Sequence, residues 1–209
     1  MRTREGNKEE AILRAAIEVF AKHGYHDAKM SEIAEVAGIA TGSAYLYFRN
    51  KESILHRIFE NLWGNLHRQL ADVAARDDLD PVEQLEAMID LLLDVFAGNP
   101  QLSSVIVNEM NRLESSGKGS FLPLYEKSFD LAEQVVKEGI TQGLFNPNLD
   151  IKVFRYFFLG GLRHLVHQWA KDSQSLGLNQ IRQGVKSLIK RGIIVPETRM
   201  GLGDRSDKK

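Results

Sequence analysis

Residues 38–55 read "GIATGSAYLYFRNKESIL". Within this stretch Thr41 to Phe48 forms a short helix, too polar on one side to bury much surface, yet carrying two tyrosines, a glycine and two hydroxyls. The tight turn Gly38-Ile39-Ala40 precedes it, and before the turn Ser31 to Ala37 reads as another short helix with Ile33, Ala34 and Ala37 inward. Two short helices joined by such a turn match the helix-turn-helix pattern, in which the second helix enters the major groove and its N-terminal residues meet base edges. A plain helical hairpin with surface tyrosines has the same local pattern, so geometry alone leaves both readings open.

The side chains suit the first reading. Thr41 and Ser43 can donate hydrogen bonds to bases or phosphates. Gly42 has no side chain, so the backbone there can approach a duplex closely. Tyr45 and Tyr47 combine apolar bodies with hydroxyls long enough to reach phosphates, and Leu46 between them is assigned no base contact. Lys51 adds a full charge at the first turn of the next helix, where free amides already attract anions. Ala44 and Phe48, with Ile33 and Ala37, form the small core that fixes the pair.

Outward from this segment nearly every periodic stretch has helical spacing, and strand-like alternation is almost absent. Ile12, Ala16, Val19 and Phe20 make the stripe of a first helix, widened by Leu13 and Ile17 and stopped at His23-Gly24. Asn50 is a good N-cap for a fourth helix running through Leu62, Leu66 and Leu70 toward Ala75. Asp80-Pro81 and Asn99-Pro100 each pair a capping residue with proline at the first helical position, opening helices over 81–97 and 100–113. The segment "ESSGKGS" reads as a loop, followed by helices over 120–142, 150–172 and 178–191. The expected fold class is all-α. A three-helix unit with its helix-turn-helix occupies residues 1–52, a larger C-terminal helical bundle occupies 53–195, and a polar tail occupies 196–209.

Composition sets the outer limits. The 209 residues are 43% hydrophobic, enough for a packed core, and contain no cysteine, which removes disulfides, thiolate metal sites and cysteine nucleophiles. The start "MRTREGNKEE" lacks the apolar core of a secretory signal, and no apolar run approaches the roughly 18 residues needed to span a bilayer. A cytoplasmic protein with no membrane partner is expected. The net charge of −1 gives no global footprint of nucleic-acid binding. Residues 1–56 do not supply one either, with eight Lys/Arg against eight Asp/Glu, so any basic groups that meet DNA must be gathered on one face.

The stretch "IAEVAGIATGSAYLYFRNKESIL", with the upstream "ILRAAIEVFAKHGY", resembles the TetR family signature from about Ala11 to Leu55 without a gap. The resemblance implies a homodimeric transcriptional regulator, usually a repressor of a palindromic operator, whose C-terminal domain serves ligand binding and dimerisation and takes a small effector; no cofactor is expected, and metal sensing, which the family includes, is a lesser alternative. It puts base contacts on Thr41, Gly42 and Ser43, and phosphate contacts on Tyr45, Tyr47 and Lys51. Lys29 and Ser31 take positions that often touch DNA, and Arg2 and Arg4 suit a disordered basic arm. The chain departs from the family pattern in three places. Ala40 replaces the usual capping Ser, Ala28 replaces a frequent Thr, and Leu46 stands where a polar or aromatic residue is common.

For the larger domain, the helix "DIKVFRYFFLGGLRHLVHQWA" supplies a candidate dimer surface. Ile151, Phe154, Phe158, Leu162, Leu165 and Trp169 form one stripe, while Val153, Phe157 and Val166 spread apolar surface onto other faces. Gly160 and Gly161 allow close helix approach, and Ile181, Val185, Leu188 and Ile189 of the last helix would pack alongside. A monomer core is the alternative for both helices. Residues expected around an effector cavity are Trp63, Leu66, Met88, Leu92, Phe96, Ile106, Arg112, Phe121, Tyr125 and Phe129. Glu109 points inward or forms a surface ion pair.

The "AYLYFRNKE" core and the later "EGITQGLFNPNLD" further resemble the branch of the family that represses fatty-acid degradation genes and responds to long-chain acyl-CoA. That effector needs an apolar tunnel with cations at its mouth, for which Arg112, Lys127, Arg155 and Arg163 are candidates. A repressor of an efflux or other metabolic operon with an unrelated hydrophobic ligand remains the alternative. An enzyme is not expected. No Glu is followed by His three residues later, and no HExxH, P-loop or G-x-S-x-G motif occurs; His164 and His167 lie one helical turn apart and could share a metal, but with no inward carboxylate nearby they read better as interfacial polar residues.

Overall fold

The computed structural model describes residues 2–116, 119–172, 174 and 176–194. The tail expected at 196–209 lies outside the described residues. Nine helices follow one another among those described: α1 Arg2–His23, α2 Met30–Val36, α3 Thr41–Tyr47, α4 Lys51–Ala74, α5 Pro81–Gly98, α6 Pro100–Ser116, α7 Leu122–Thr141, α8 Ile151–Lys171 and α9 Leu178–Gly192. The expected all-α class is the observed one. Two expectations change at the ends of helices. The backbone is helical from Arg2, so the residues read as a basic arm belong to α1, and α6 takes in Glu114 to Ser116, which read as loop.

Caps explain most boundaries. Asp80 Oδ1 accepts from the amides of Val82 (2.8 Å) and Glu83 (2.9 Å), while Glu83 Oε2 accepts from the Asp80 amide, a reciprocal capping box. Asn50 Oδ1 accepts from the Ser53 amide at 2.8 Å, and the Asn50 amide donates back to Ser53 Oγ. Asn99 and Asp150 cap α6 and α8 in the same manner. At the C-terminus of α2, Gly38 adopts φ +68°; the Ile39 amide donates to the Ala34 carbonyl and the Gly38 amide to that of Glu35. This is the Schellman pattern that requires a left-handed residue, and it sets the turn between α2 and α3.

The described residues fall into two compact units, one within Met1–Asn65 and Phe96–Tyr125, the other within Leu66–Val95 and Glu126–Lys209. In the first, the α1 stripe of Ile12, Ala16, Val19 and Phe20 is buried, as are Ile33, Ala34, Ala44 and Phe48; Ala37 is only half-buried. Val105, Ile106, Met110 and Leu113 of α6 complete that core with Phe59 and Phe121, whose rings lie 4.9 Å apart.

In the second unit α5 and α9 are tied by a ladder of ion pairs. Glu86, Asp90 and Asp94 recur every four residues on α5, and Arg182, Lys186 and Lys190 do so on α9. Arg182 bonds Asp90 (2.7 Å) and Asp94, Lys186 bonds Asp90 (2.6 Å), and Lys190 bonds Glu86 (2.7 Å), an antiparallel register. The turn after α7 is held by Phe145, fully buried against Gly139, where an added Cβ would run into the ring.

Candidate nucleic-acid interface and ligand cavity

Helix α3 has two distinct sides. Ala44 and Phe48 are buried, Ser43 and Tyr47 are half-buried, and Thr41, Gly42, Tyr45 and Leu46 form the open face. Ala40 occupies the N-cap with no side-chain bond, and its carbonyl accepts from the amides of Ser43 (2.8 Å) and Ala44 (3.2 Å). The helix therefore starts at Thr41 without the usual hydroxyl cap. At the start of α2 the lost Thr is covered differently: Glu32 Oε2 accepts from the Lys29 amide at 3.1 Å. Lys29 and Ser31 are exposed beside it.

Lys51 opens α4 as expected and also bonds within the chain. Its Nζ donates to the carbonyls of Ala28 (3.0 Å) and His26, and stands 4.9 Å over the Tyr25 ring. The ammonium thus clamps the loop between α1 and α2, because those carbonyls lack helical partners and a lysine within reach satisfies them. An exposed cation does lie next to α3: Arg49, in the turn before α4.

A cavity of about 50 Å³ opens in the second unit. Leu70 of α4, Leu85, Met88, Ile89 and Leu92 of α5, Phe129, Ala132 and Val136 of α7, and Phe154, Phe158, Leu159 and Leu162 of α8 supply an apolar lining. Its polar members are Ser128, Glu133 and Arg155. Arg155 donates to Glu133 (2.7 Å), Asp130 (2.9 Å) and Glu126, and its guanidinium lies 5.8 Å from the Phe129 ring centre. Desolvation works against its charge, but these carboxylates outweigh it and hold its pKa above the ordinary arginine value.

Of the residues expected at a ligand cavity, Met88, Leu92 and Phe129 line this one. Leu66 is buried in the same unit but off the lining. Trp63, Phe96, Ile106, Arg112, Phe121 and Tyr125 belong to the first unit, where Trp63 and Tyr125 meet edge to face at 4.7 Å. There Arg112 Nε donates to Glu109 at 2.8 Å, so Glu109 both points inward and carries an ion pair. Aromatic spacing on these helices marks core as well as pocket, and sequence does not separate them.

The expected dimer stripe is also turned. Phe154, Phe158 and Leu162 face the cavity, Ile181 and Val185 are buried within the chain, and Leu165 and Trp169 are half-buried. The exposed face of α8 instead carries Val153, Tyr156 and Phe157 (80% exposed), continuing through Gly161 to His164 and Gln168, with Leu188 exposed on α9. Of the expected stripe, Gly161 and Leu188 are thus on the outer face, Leu165 and Trp169 are partly exposed, and Phe154, Phe158, Leu162, Ile181 and Val185 turn inward. Among the described residues no three potential metal ligands gather, and no helix is long and apolar enough to cross a membrane.

The family model for bacterial regulatory proteins of the tetR family matches residues 12–58, and that for the tetracyclin repressor-like C-terminal domain matches residues 78–193. The chain belongs to the TetR family. It is accordingly a DNA-binding transcriptional regulator and not an enzyme. Among TetR-family relatives, the fatty acid metabolism regulator protein of Bacillus subtilis (strain 168) is 29% identical over 183 residues, covering 87% of this chain and 93% of that one. The fatty acid degradation regulator FadR from Bacillus halodurans superposes with a TM-score of 0.76 at 28% identity, over 87% of this chain and 94% of that chain. The transcriptional regulator FadR from Bacillus subtilis, solved in complex with stearoyl-CoA, superposes at 0.75 and 28% identity over 88% and 98% of the two chains.

Proposed function

We propose that this protein is a homodimeric TetR-type repressor of fatty-acid metabolism genes, released from a palindromic operator by long-chain acyl-CoA. The observation that carries the ligand class is the lining of the cavity, apolar on α4, α5, α7 and α8, which suits an acyl chain. The chain's likeness at 28% identity to a regulator solved with stearoyl-CoA supports the same reading. DNA reading is assigned to residues 1–52 and effector binding with dimerisation to 53–195. Thr41, Gly42 and Ser43 meet base edges, while Tyr45, Tyr47 and Lys51, with Lys29, Ser31 and the exposed Arg49, meet the backbone.

At about 50 Å³ the cavity lies far below the roughly 300 Å³ at which ligand pockets begin. An acyl chain therefore enters only by parting these helices. Leu70 on the cavity and Lys51 at the clamp belong to the same helix, α4, so a shift at one end has a direct path to the other. The ligand lowers DNA affinity through its preference for the parted state. In the dimer the two recognition helices must sit about 34–36 Å apart to enter successive major grooves.

The exposed α8–α9 face supports the homodimer. Gly160, Gly161 and Gly184 have nothing within 4 Å of a built Cβ in the chain itself. Helical glycine costs about 0.5–1 kcal/mol relative to alanine, a cost that close approach of a second copy would offset.

Ala132→Phe, which fills the cavity, tests the ligand site. Equilibrium binding of stearoyl-CoA should be lost in this variant while operator binding persists. Unchanged stearoyl-CoA affinity would move the effector site elsewhere.

A further inference from the structure

Seven large apolar side chains are exposed among the described residues. Four of them, Val153, Tyr156, Phe157 and Leu188, lie on the face assigned to the second copy. The other three, Val36, Tyr45 and Leu46, lie on the helix-turn-helix, and Leu46 at 84% is the most exposed of all seven. Leu46 has so little buried surface that it contributes next to nothing to packing within the chain.

Its position is specific. Thr41, Gly42, Tyr45 and Leu46 share the open face of α3, and Leu46 stands one helical turn after Gly42. Helical side chains lean toward the N-terminus, so Leu46 reaches over the patch that a side chain at 42 would cover. Gly42 leaves that patch open, with nothing within 4 Å of a built Cβ. The leucine carries no hydrogen-bonding atom, so it cannot read donors or acceptors. The apolar group that base edges present in the major groove is the thymine C5-methyl, and the phosphates along the groove walls offer no such surface.

We propose that Leu46 is a specificity-determining residue that packs on the C5-methyl of one thymine in each operator half-site. The inference rests on the DNA-reading function and names a base for a position that motif carry-over leaves without a role. Thr41 and Ser43 then read hydrogen-bonding edges, and Leu46 adds a methyl read that a polar residue there would not make.

The test uses the full-length protein. A duplex is selected from random DNA, and each of its thymines is replaced singly by deoxyuridine, which removes only the methyl. One thymine per half-site should weaken wild-type binding about fourfold on replacement, the value of one buried methyl. Leu46→Ala, which alters both protomers and so removes both contacts, should bind the thymine duplex about sixteenfold weaker, the fourfold loss taken twice, and be indifferent to deoxyuridine at that position, with an unchanged melting temperature. The inference is overturned if Leu46→Ala keeps every wild-type deoxyuridine response, which would place the leucine on sugar, or if no thymine responds in the wild type. A protein that selects no DNA overturns the repressor reading as well, a different and separately visible failure.

Discussion

The guanidinium of Arg112 stands 4.5 Å over the ring of Tyr25, which carries a second cation, Lys51 Nζ, at 4.9 Å. Helices α6 and α4 thereby hold the loop between α1 and α2 from two directions. Burial pushes the Tyr25 hydroxyl up, and Arg112 beside it opposes that shift. Arg112→Ala removes this contact and leaves Glu109, 8% exposed, without its partner. The side chain of Arg112 is 35% exposed, so the loss belongs at the low end for such groups, about 1–2 kcal/mol in urea unfolding. Arg112→Lys should recover only part, lacking the planar fork.

Gly38 and Gly42 should respond to alanine in opposite ways. Gly38 sits at φ +68°, so Gly38→Ala strains the turn and should cost about 1 kcal/mol of stability. Gly42 is helical with open space around it, so Gly42→Ala should stabilise the fold by up to about 1 kcal/mol. Operator affinity should nonetheless fall for Gly42→Ala if the backbone approaches DNA there. Thermal melts and DNA titrations on the two variants separate the effects.

Much of the fold was legible because helix boundaries are local chemistry. Asp80-Pro81, Asn99-Pro100, Gly24 and Gly38 carry their own stop and start signals, and the helices begin and end within a few residues of them. The open face of α3 was legible for the same reason, since Ala44 and Phe48 fix which way it turns. The faces of α8 were not. Phe154 and Phe157 are the same residue type on a helix apolar on both sides, and only the packing of α8 shows that Phe154 is inside and Phe157 outside. The clamp made by Lys51 was not legible, because a motif position records a residue type and not which acceptors, here the carbonyls of His26 and Ala28, lie within reach. The fourfold spacing of Glu86, Asp90 and Asp94 against Arg182, Lys186 and Lys190 is visible in the sequence, but their pairing requires knowing that α5 and α9 are neighbours.

That ladder predicts an acid sensitivity. Desolvation pushes the Asp90 carboxyl up, but bonds from Lys186 and Arg182 outweigh it and leave its pKa below the ordinary carboxylate value. A depressed folded-state pKa contributes stability above the unfolded value near 4, lost as pH falls through the folded one. Asp90→Asn should therefore lower stability by about 0.5–1 kcal/mol at pH 7, and the gap to wild type should close below about pH 4. Melting temperatures of both proteins between pH 3 and 7 check the sign.

The exposed face of α8 predicts the effect of a charge at the dimer surface. Phe157→Glu puts a carboxylate where the second copy would pack, and should give a monomer in sedimentation while leaving the helical spectrum intact. Phe158→Glu, facing the cavity, should instead unfold the second unit. A dimer that survives Phe157→Glu would reject this face as the interface.

The most direct test of the central claim is fluorescence anisotropy of a DNA-selected duplex bound by the full-length protein, titrated separately with stearoyl-CoA, stearate and free CoA. The account predicts that stearoyl-CoA releases the duplex at concentrations where stearate and CoA do not. A duplex that stays bound at saturating stearoyl-CoA would contradict it.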